Sequence, residues 1–185
     1  SAELAELLEA NDWFVQLLRA VRTAEPPECW IGAGVVRDVI WDSRFGNGFD
    51  PAKVKDVDVV FFDSHNRSSD LEKLIEQRLT RAVPSIPWEV TNEARVHEWY
   101  EAEFGQAIEP YKSVQDAVRT WPEFATSVAV RRADSGTIDI LAPFGLDDLL
   151  DGVWRRNPAQ VTVDQGRERL ARKDPARRWP SVRVD

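Results

Sequence analysis

Two aspartates separated by one valine, Asp56 and Asp58, are the residues whose type and spacing best suit chemistry in this chain. They open an apolar run at residues 57–62 that is typical of a β-strand. Alternate residues of a strand share a face, with Cα atoms roughly 6.5–7 Å apart. Two carboxylates at this separation can converge on a pair of divalent ions about 3.5–4 Å apart. The other interpretation is two exposed aspartates at a strand start.

The residues around the aspartates favour the metal interpretation. Val57, Val59 and Phe61 fill one face of the predicted strand, and Val60 and Phe62 continue the aspartate face, so both faces are apolar. Carboxylates at the mouth of such a strand repel each other and are costly to desolvate without a cation. Mg²⁺ or Mn²⁺, which prefer oxygen ligands, are the predicted cofactors.

A third carboxylate would complete such a site, and the sequence offers two. Asp139 lies between isoleucines in a predicted hairpin strand, and Glu89 lies between Trp88 and Val90 in an earlier one. We prefer Asp139, because its strand pattern is cleaner, and predict Asp56, Asp58 and Asp139 as both catalytic and metal-binding residues.

A glycine turn supplies a candidate phosphate site. Gly32 and Gly34 follow the apolar run at 29–31 and precede a predicted helix. Glycines let a backbone approach a ligand closely, and the N–H groups of a helix's first turn favour phosphate. Arg37, one turn later, either contacts the phosphate or forms the polar face of the helix with Asp38.

The composition limits the class of protein. The chain has 185 residues, 43% of them hydrophobic, which suits one domain with its own core. One cysteine and two histidines leave no usual zinc site and no internal disulfide. Without an apolar run of membrane-spanning length or a leader pattern, we expect a cytoplasmic protein and no membrane partner.

The charge is unevenly distributed. The net charge is −8, yet residues 155–185 carry nine Lys and Arg against four Asp and Glu. We therefore divide a single domain at 1–185 into a core at 23–154 and a basic C-terminal appendage at 155–185. The appendage can pair with the acidic body or attract a polyanion. The acidic body disfavours nucleic acid as a partner, and the basic appendage leaves that partner open.

Apolar periodicity and turn residues predict an α+β fold, with a mixed sheet of about five strands flanked by helices. The predicted strands are 29–31, 57–62, 86–91, 127–131 and 137–141, and the predicted helices are 3–22, 35–40, 69–79, 94–104, 113–121, 146–154 and 164–173.

Two stretches resemble a known superfamily. Residues 32–38 (Gly-Ala-Gly-Val-Val-Arg-Asp) and 55–59 (Lys-Asp-Val-Asp-Val) look like motifs of polymerase-β-type nucleotidyltransferases, and the first is similar to a motif of tRNA CCA-adding enzymes. From residue 30 onward the chain resembles a family of small bacterial nucleotidyltransferase-like proteins. That family usually has glutamine where Glu93 stands and methionine where Val96 stands. The resemblance rests on residues 88–97, 111–123, 142–149, 157–158 and 179–180.

The resemblance implies a polymerase-β-like fold and a metal-dependent nucleotidyltransferase. Asp56 and Asp58 would hold two Mg²⁺ ions, and Asp139 would complete the site. The glycine turn would hold the triphosphate of an NTP, and an unidentified acceptor hydroxyl would attack the α-phosphorus and expel pyrophosphate. The alternative is a nucleotide-binding or regulatory protein with the same fold and no turnover. A haloacid-dehalogenase-type phosphatase fits less well, because its aspartates end a strand instead of opening one.

Overall fold

The computed structural model describes residues 1–25 and 27–185, and its architecture is α+β. The helices are α1 (Ala2–Glu9), α2 (Asp12–Ala24), α3 (Gly34–Phe45), α4 (Ser69–Ala82), α5 (Tyr100–Phe104), α6 (Val114–Val118), α7 (Asp147–Leu150), α8 (Val163–Lys173) and α9 (Pro175–Arg178). The strands are β1 (Trp30–Gly32), β2 (Val57–Phe61), β3 (Trp88–Asn92), β4 (Ala129–Arg132), β5 (Ile138–Leu141), β6 (Val153–Trp154) and β7 (Arg183–Val184). Turns of 3₁₀ helix lie at Pro51–Lys53, Glu93–Glu98 and Phe124–Thr126.

A mixed five-stranded sheet forms the centre of the molecule, in the order β3-β2-β1-β4-β5. Only the β2–β3 pair within it is parallel, and α4 connects those two strands. The predicted fold class is confirmed, because the sheet is mixed, has the expected five strands and is flanked by helices.

The two faces of the sheet are covered differently. One face, which includes Ile31, Val59 and Val130, belongs to the main core with the apolar sides of α2, α3 and α4. The other face has a smaller apolar cluster in which Trp30 and Val60 pack with residues of α6 and with Trp121. Side chains of β2 alternate between these faces, so Asp58 lies on the same face as Val60.

Local capping overrides two helices predicted from apolar spacing. The helix expected at 3–22 is two helices, because the Asn11 side chain accepts a hydrogen bond from the backbone N–H of Phe14 and starts α2 anew. The helix expected at 146–154 ends at Leu150, and Gly152, with a φ of 68°, turns the chain into β6.

The basic C-terminal segment packs against the rest of the chain. Trp179 is 2% exposed, and its indole N–H donates to Asp42 of α3 at 2.7 Å. Arg178 donates to the same carboxylate and to Asp38, and β7 pairs with β6. Much of the positive charge at 155–185 is therefore matched by acidic side chains of the core.

No helix within residues 1–25 and 27–185 combines the length and the apolar character that crossing a bilayer requires.

Ala33, between β1 and α3, has a strained backbone. Its φ of 55° and ψ of −122° lie in a region that residues with a Cβ rarely adopt, and its N–H donates to the carbonyl of Val128. The sheet and α3 hold this turn in place from both ends.

We predict that Ala33→Gly stabilises the protein by about 0.5–1 kcal/mol, because relief of the strain outweighs the added chain entropy of the unfolded state. Ala5→Gly, in the middle of α1, is the control and should destabilise by roughly 0.5–1 kcal/mol. Urea unfolding measures both. Equal destabilisation by the two substitutions would contradict strain at Ala33.

Candidate active site

A cleft of about 570 Å³ opens on the aspartate face of the sheet. Its floor is made by the sheet and the Ala33 turn, one wall by the segment from Val96 to Trp121, and the other wall by α8. The lining residues are Ala33, Asp58, Val60, Thr91, Glu93, Val96, Trp99, Tyr100, Phe104, Tyr111, Thr120, Trp121, Pro122, Gln160, Val161, Gln165, Glu168, Arg169 and Arg172.

Three carboxylates lie near one another beside this cleft, and one of them, Asp58, lines it. Asp58 is the second residue of β2, Asp56 comes just before that strand, and Glu89 is the direct register partner of Asp58 on β3. The pKa of Asp58 is raised to about 7 by burial first, and then by the charges of Asp56 and Glu89. Partial burial, Asp56 and Glu76 also raise the pKa of Glu89. The site therefore concentrates negative charge that the unliganded protein does not fully neutralise.

The sheet register places Asp139 away from the other two predicted metal ligands. Asp139 is on the edge strand β5, three strands from β2, which corresponds to about 14 Å at the usual strand spacing. Its carboxylate accepts hydrogen bonds from Arg131, the register partner on β4, at 3.0 Å. Arg131 also pairs with Glu28 and stacks on Trp30. We expected Asp139 to lie close to Asp56 and Asp58, and the strand order places it away from them. Glu89 is instead the carboxylate next to Asp58 on the neighbouring strand.

The acidic floor has donors of the type that Mg²⁺ and Mn²⁺ prefer, because all are carboxylate oxygens. Asp56 and Asp58 lie close enough for their charges to couple, which suits a shared divalent cation. Over the described ranges, however, no group of three or more Asp, Glu, His or Cys side chains is drawn together at ligating distance. The residues fit a cation held by two carboxylates whose remaining ligands come from elsewhere.

Gly32 is required by packing. A Cβ built on Gly32 would lie 2.3 Å from the ring of Trp121, which covers the strand at this point. Gly34 is the first residue of α3, and a Cβ there would meet only Arg37 Nη2, at 3.8 Å. The two glycines predicted to bind phosphate therefore differ: the first makes room for a side chain, and the second is open.

Arg37 is held inside the protein. It is 5% exposed, its guanidinium donates to Asp38 at 2.6 and 2.9 Å, and it lies 5.2–5.7 Å from the ring centres of Trp41, Trp154 and Trp179. Of the two interpretations open for Arg37, this geometry favours pairing with Asp38 over direct contact with phosphate.

Glu93 is a buried acid in the wall of the cleft. It is 5% exposed, and its pKa is raised to about 8 by burial and by Asp58, with a smaller effect of Glu72 and an opposing hydrogen bond to Trp121. It is therefore largely protonated at neutral pH and resembles a glutamine in shape and charge. The resemblance noted above leads one to expect glutamine at this position.

Sequence reasoning missed three contributors to the cleft: Glu93, the Trp121 ring over Gly32, and the cations of α8. Trp121 lines the cleft, whereas Trp88 and Trp179 are buried in the main core. The spacing of Arg169, Arg172 and Lys173, which share one side of a helix, was the available signal for α8.

We predict that Gly32→Ala destabilises the protein by about 1–3 kcal/mol, because the new methyl group overlaps the Trp121 ring. Gly34→Ala is the matched control and should change stability by less than about 0.5 kcal/mol, since its site is open. Denaturant unfolding of both variants measures the difference. A tolerated Gly32→Ala would show that Trp121 does not pack there.

We predict that Glu93→Gln removes the loss of stability that the wild type shows as the pH rises and Glu93 ionises. Because the folded-state pKa of Glu93 is above that of the unfolded chain, wild-type stability falls as pH rises from about 4.5 through about 8. The melting temperature of Glu93→Gln minus that of wild type should be at least about 3 °C larger at pH 8.5 than at pH 5. Glu101→Gln, on an exposed position of α5, should show no such trend. A pH-independent difference for Glu93→Gln would refute the burial of a neutral acid.

Comparison with known proteins agrees with this geometry. A family model described as nucleotidyltransferase matches residues 19–184. An NMR structure described as revealing a CCA-adding enzyme head domain is similar to this chain, with a TM-score of 0.81 and 26% sequence identity, over 100% of this chain and 95% of that chain. A search among curated proteins gave no significant match.

The family model covers most of the chain, and the structural likeness covers all of it. The motifs at 32–38 and 55–59 predicted the same superfamily, and the sheet places both at one cleft. The chain therefore belongs to a nucleotidyltransferase family and has the polymerase-β-like fold.

Proposed function

We propose that the protein transfers a nucleoside monophosphate from an NTP to an acceptor hydroxyl and releases pyrophosphate. The observation that carries this proposal is that Asp58 lines the cleft, with Asp56 just before it in the chain and Glu89 beside it on the next strand. The elevated pKa of Asp58 indicates negative charge that a bound cation would relieve.

Asp56 and Asp58 would hold the divalent cation, Mg²⁺ or Mn²⁺, and Glu89 takes the place first assigned to Asp139. When bound, the cation would neutralise charge on the phosphates and orient them for in-line attack. The fold of the chain positions these groups. Paired strands hold the carboxylates, and the first turn of α3 begins near them at Gly34. Its free N–H groups suit a phosphate oxygen.

The wall opposite α8 suits a nucleobase. Tyr100, Tyr111 and Trp121 line it together with Val96, and stacking on such rings is favourable for any base. Tyr111 donates to Gln160 and shares a hydrogen bond with Thr120, so part of this polar wall is already ordered.

The acceptor is a separate part of the proposal. The CCA-adding description belongs to the structural neighbour, and it raises nucleic acid as one class of acceptor. The net charge of −8 works against a long polyanion. We therefore propose a small acceptor or the end of a nucleic-acid strand.

A second candidate is nucleotide binding without turnover. It is favoured by one observation: in the part of the chain that the structure describes, no three metal-ligating side chains converge. A protein of this kind would bind NTP and release no pyrophosphate with any acceptor.

We predict that Asp56→Asn and Asp58→Asn each lower pyrophosphate release by at least about a hundredfold, because several kcal/mol of charge stabilisation is lost. Glu89→Gln should lower it by at least about tenfold. Asp139→Asn is the control and should stay within about twofold, since it removes a half-exposed ion pair at the edge of the sheet, three strands from β2.

The assay uses the four NTPs with Mg²⁺ and a panel of hydroxyl acceptors, and it follows pyrophosphate. Loss of fold does not explain the expected result. Because the pKa of Asp58 is raised from 3.8 to about 7, ionisation of this carboxyl lowers the stability of the wild type as the pH rises through that interval, and asparagine removes this loss. Without metal, Asp58→Asn should melt at or above the wild-type temperature. A larger effect of Asp139→Asn than of Glu89→Gln would restore Asp139 as the third carboxylate.

A further inference from the structure

Helix α8 brings positive charge to the carboxylate cleft. Arg169 and Arg172 line the cleft, and Lys173 is the last residue of the helix. Residues three and four apart share one side of a helix, so all three are on the side that includes Arg169. The charges of Lys173 and Arg169 oppose the rise in the pKa of Asp58 that burial and the neighbouring carboxylates cause.

The three cations differ in whether they are already paired. Arg169 donates through Nε and Nη2 to Glu123, a carboxylate whose side chain is 3% exposed and which also accepts from Thr126. Arg169 therefore holds α8 to the body of the protein and is already paired. Across residues 1–25 and 27–185, Arg172 and Lys173 make no salt bridge and no side-chain hydrogen bond.

The surroundings of Lys173 include charges of both signs. Partial desolvation lowers its pKa most, followed by the positive charges of Arg169 and Arg37, while Asp56 and Asp38 act in the opposite direction. Cations that crowd one another beside a cleft are stabilised by a polyanion placed among them.

The position of α8 is determined by contacts of its own. Thr162 and Gln165 form a reciprocal cap at its first turn, which fixes the start of the helix. Gly166 lets the Arg156 side chain cross the helix closely, since a Cβ at Gly166 would lie 2.4 Å from that side chain. The helix ends at Asp174, in a left-handed conformation, followed by the buried Pro175.

A favourable interaction with the helix dipole accounts for cations in the last turn of a helix in general. It does not explain why Arg172 lies on the side of α8 that lines the cleft. Arg167, on the same helix, lies away from the cleft and pairs with Asp164 at 3.5 Å. It provides a matched cation outside the cleft.

We propose that Arg172 and Lys173 bind the phosphate chain of the nucleoside triphosphate, so that the basic C-terminal segment forms one wall of the active site. This inference rests on the proposed function and extends it to a polyphosphate site on α8. The substrate's phosphates would lie between these cations and the carboxylate floor. The residues distinguish a triphosphate from a nucleoside by charge.

The test compares Arg172→Gln/Lys173→Gln with wild type, with Arg167→Gln and with the charge-conserving variant Arg172→Lys/Lys173→Arg. Isothermal titration calorimetry measures binding of each of the four NTPs, of inorganic tripolyphosphate and of the matching nucleosides, all with Mg²⁺. We expect the double Gln variant to bind triphosphates and tripolyphosphate at least about tenfold more weakly and nucleosides unchanged. Arg167→Gln should match wild type, and the charge-conserving variant should retain most of the affinity.

The outcomes distinguish failure of the phosphate site on α8 from failure of the proposed nucleotidyltransferase function. Wild-type affinity for NTP in the double Gln variant, or an equal loss in Arg167→Gln, would overturn the role of α8 and leave the proposed function standing. Equal loss of nucleoside and triphosphate binding would also overturn it, because it would indicate a general distortion of the cleft. A wild-type protein that binds no NTP would overturn both. Thermal melting of each variant shows whether it is folded, and the charge-conserving variant reports on the site if the double Gln variant is not.

Discussion

Repulsion among neighbouring carboxylates is the interaction on which the arrangement of the cleft depends. Asp58 is held between β1 and β3, with Asp56 one step away along the chain and Glu89 one strand away. Burial and these two charges together raise its pKa to about 7. Such an arrangement is unfavourable on its own, and the cation that we propose for the site would relieve the repulsion. Groups whose pKa values are strongly shifted are common in active sites, which agrees with the proposed function.

Trp121 packs closely against the sheet next to these carboxylates. Its ring covers Gly32, where no Cβ fits, and a hydrogen bond links it to Glu93. The carboxyl of Glu93 stays largely protonated at neutral pH, so the wall next to the acidic floor adds little further negative charge. Gly32 is thus a consequence of placing an aromatic ring directly on the sheet, whereas the raised pKa of Glu93 follows from its burial and from the charge of Asp58.

The uneven charge of the chain has a structural explanation. Arg178 pairs with Asp38 and Asp42, and Arg169 pairs with the buried Glu123, so the basic C-terminal segment and the acidic core are held together by ion pairs. The pairing interpretation of the sequence accounts for these arginines. Attraction of a polyanion is the interpretation that suits Arg172 and Lys173 of α8, which have no such partners among the described residues. Both apply to different residues of one segment.

The sequence by itself determined the α+β class, the strand that carries Asp56 and Asp58, and the glycine turn, because hydrophobic alternation and glycine are local signals. It did not determine the third carboxylate. Asp139 and Glu89 each lie between two apolar residues in the sequence. Only the strand order and the register show that Glu89 is next to Asp58 and that Asp139 is three strands away. The same holds for α8, whose cations reach the cleft through the Arg169–Glu123 pair, between residues 46 positions apart. Tertiary structure decided these features because the distances that matter join residues far apart in the chain, and no local pattern encodes them.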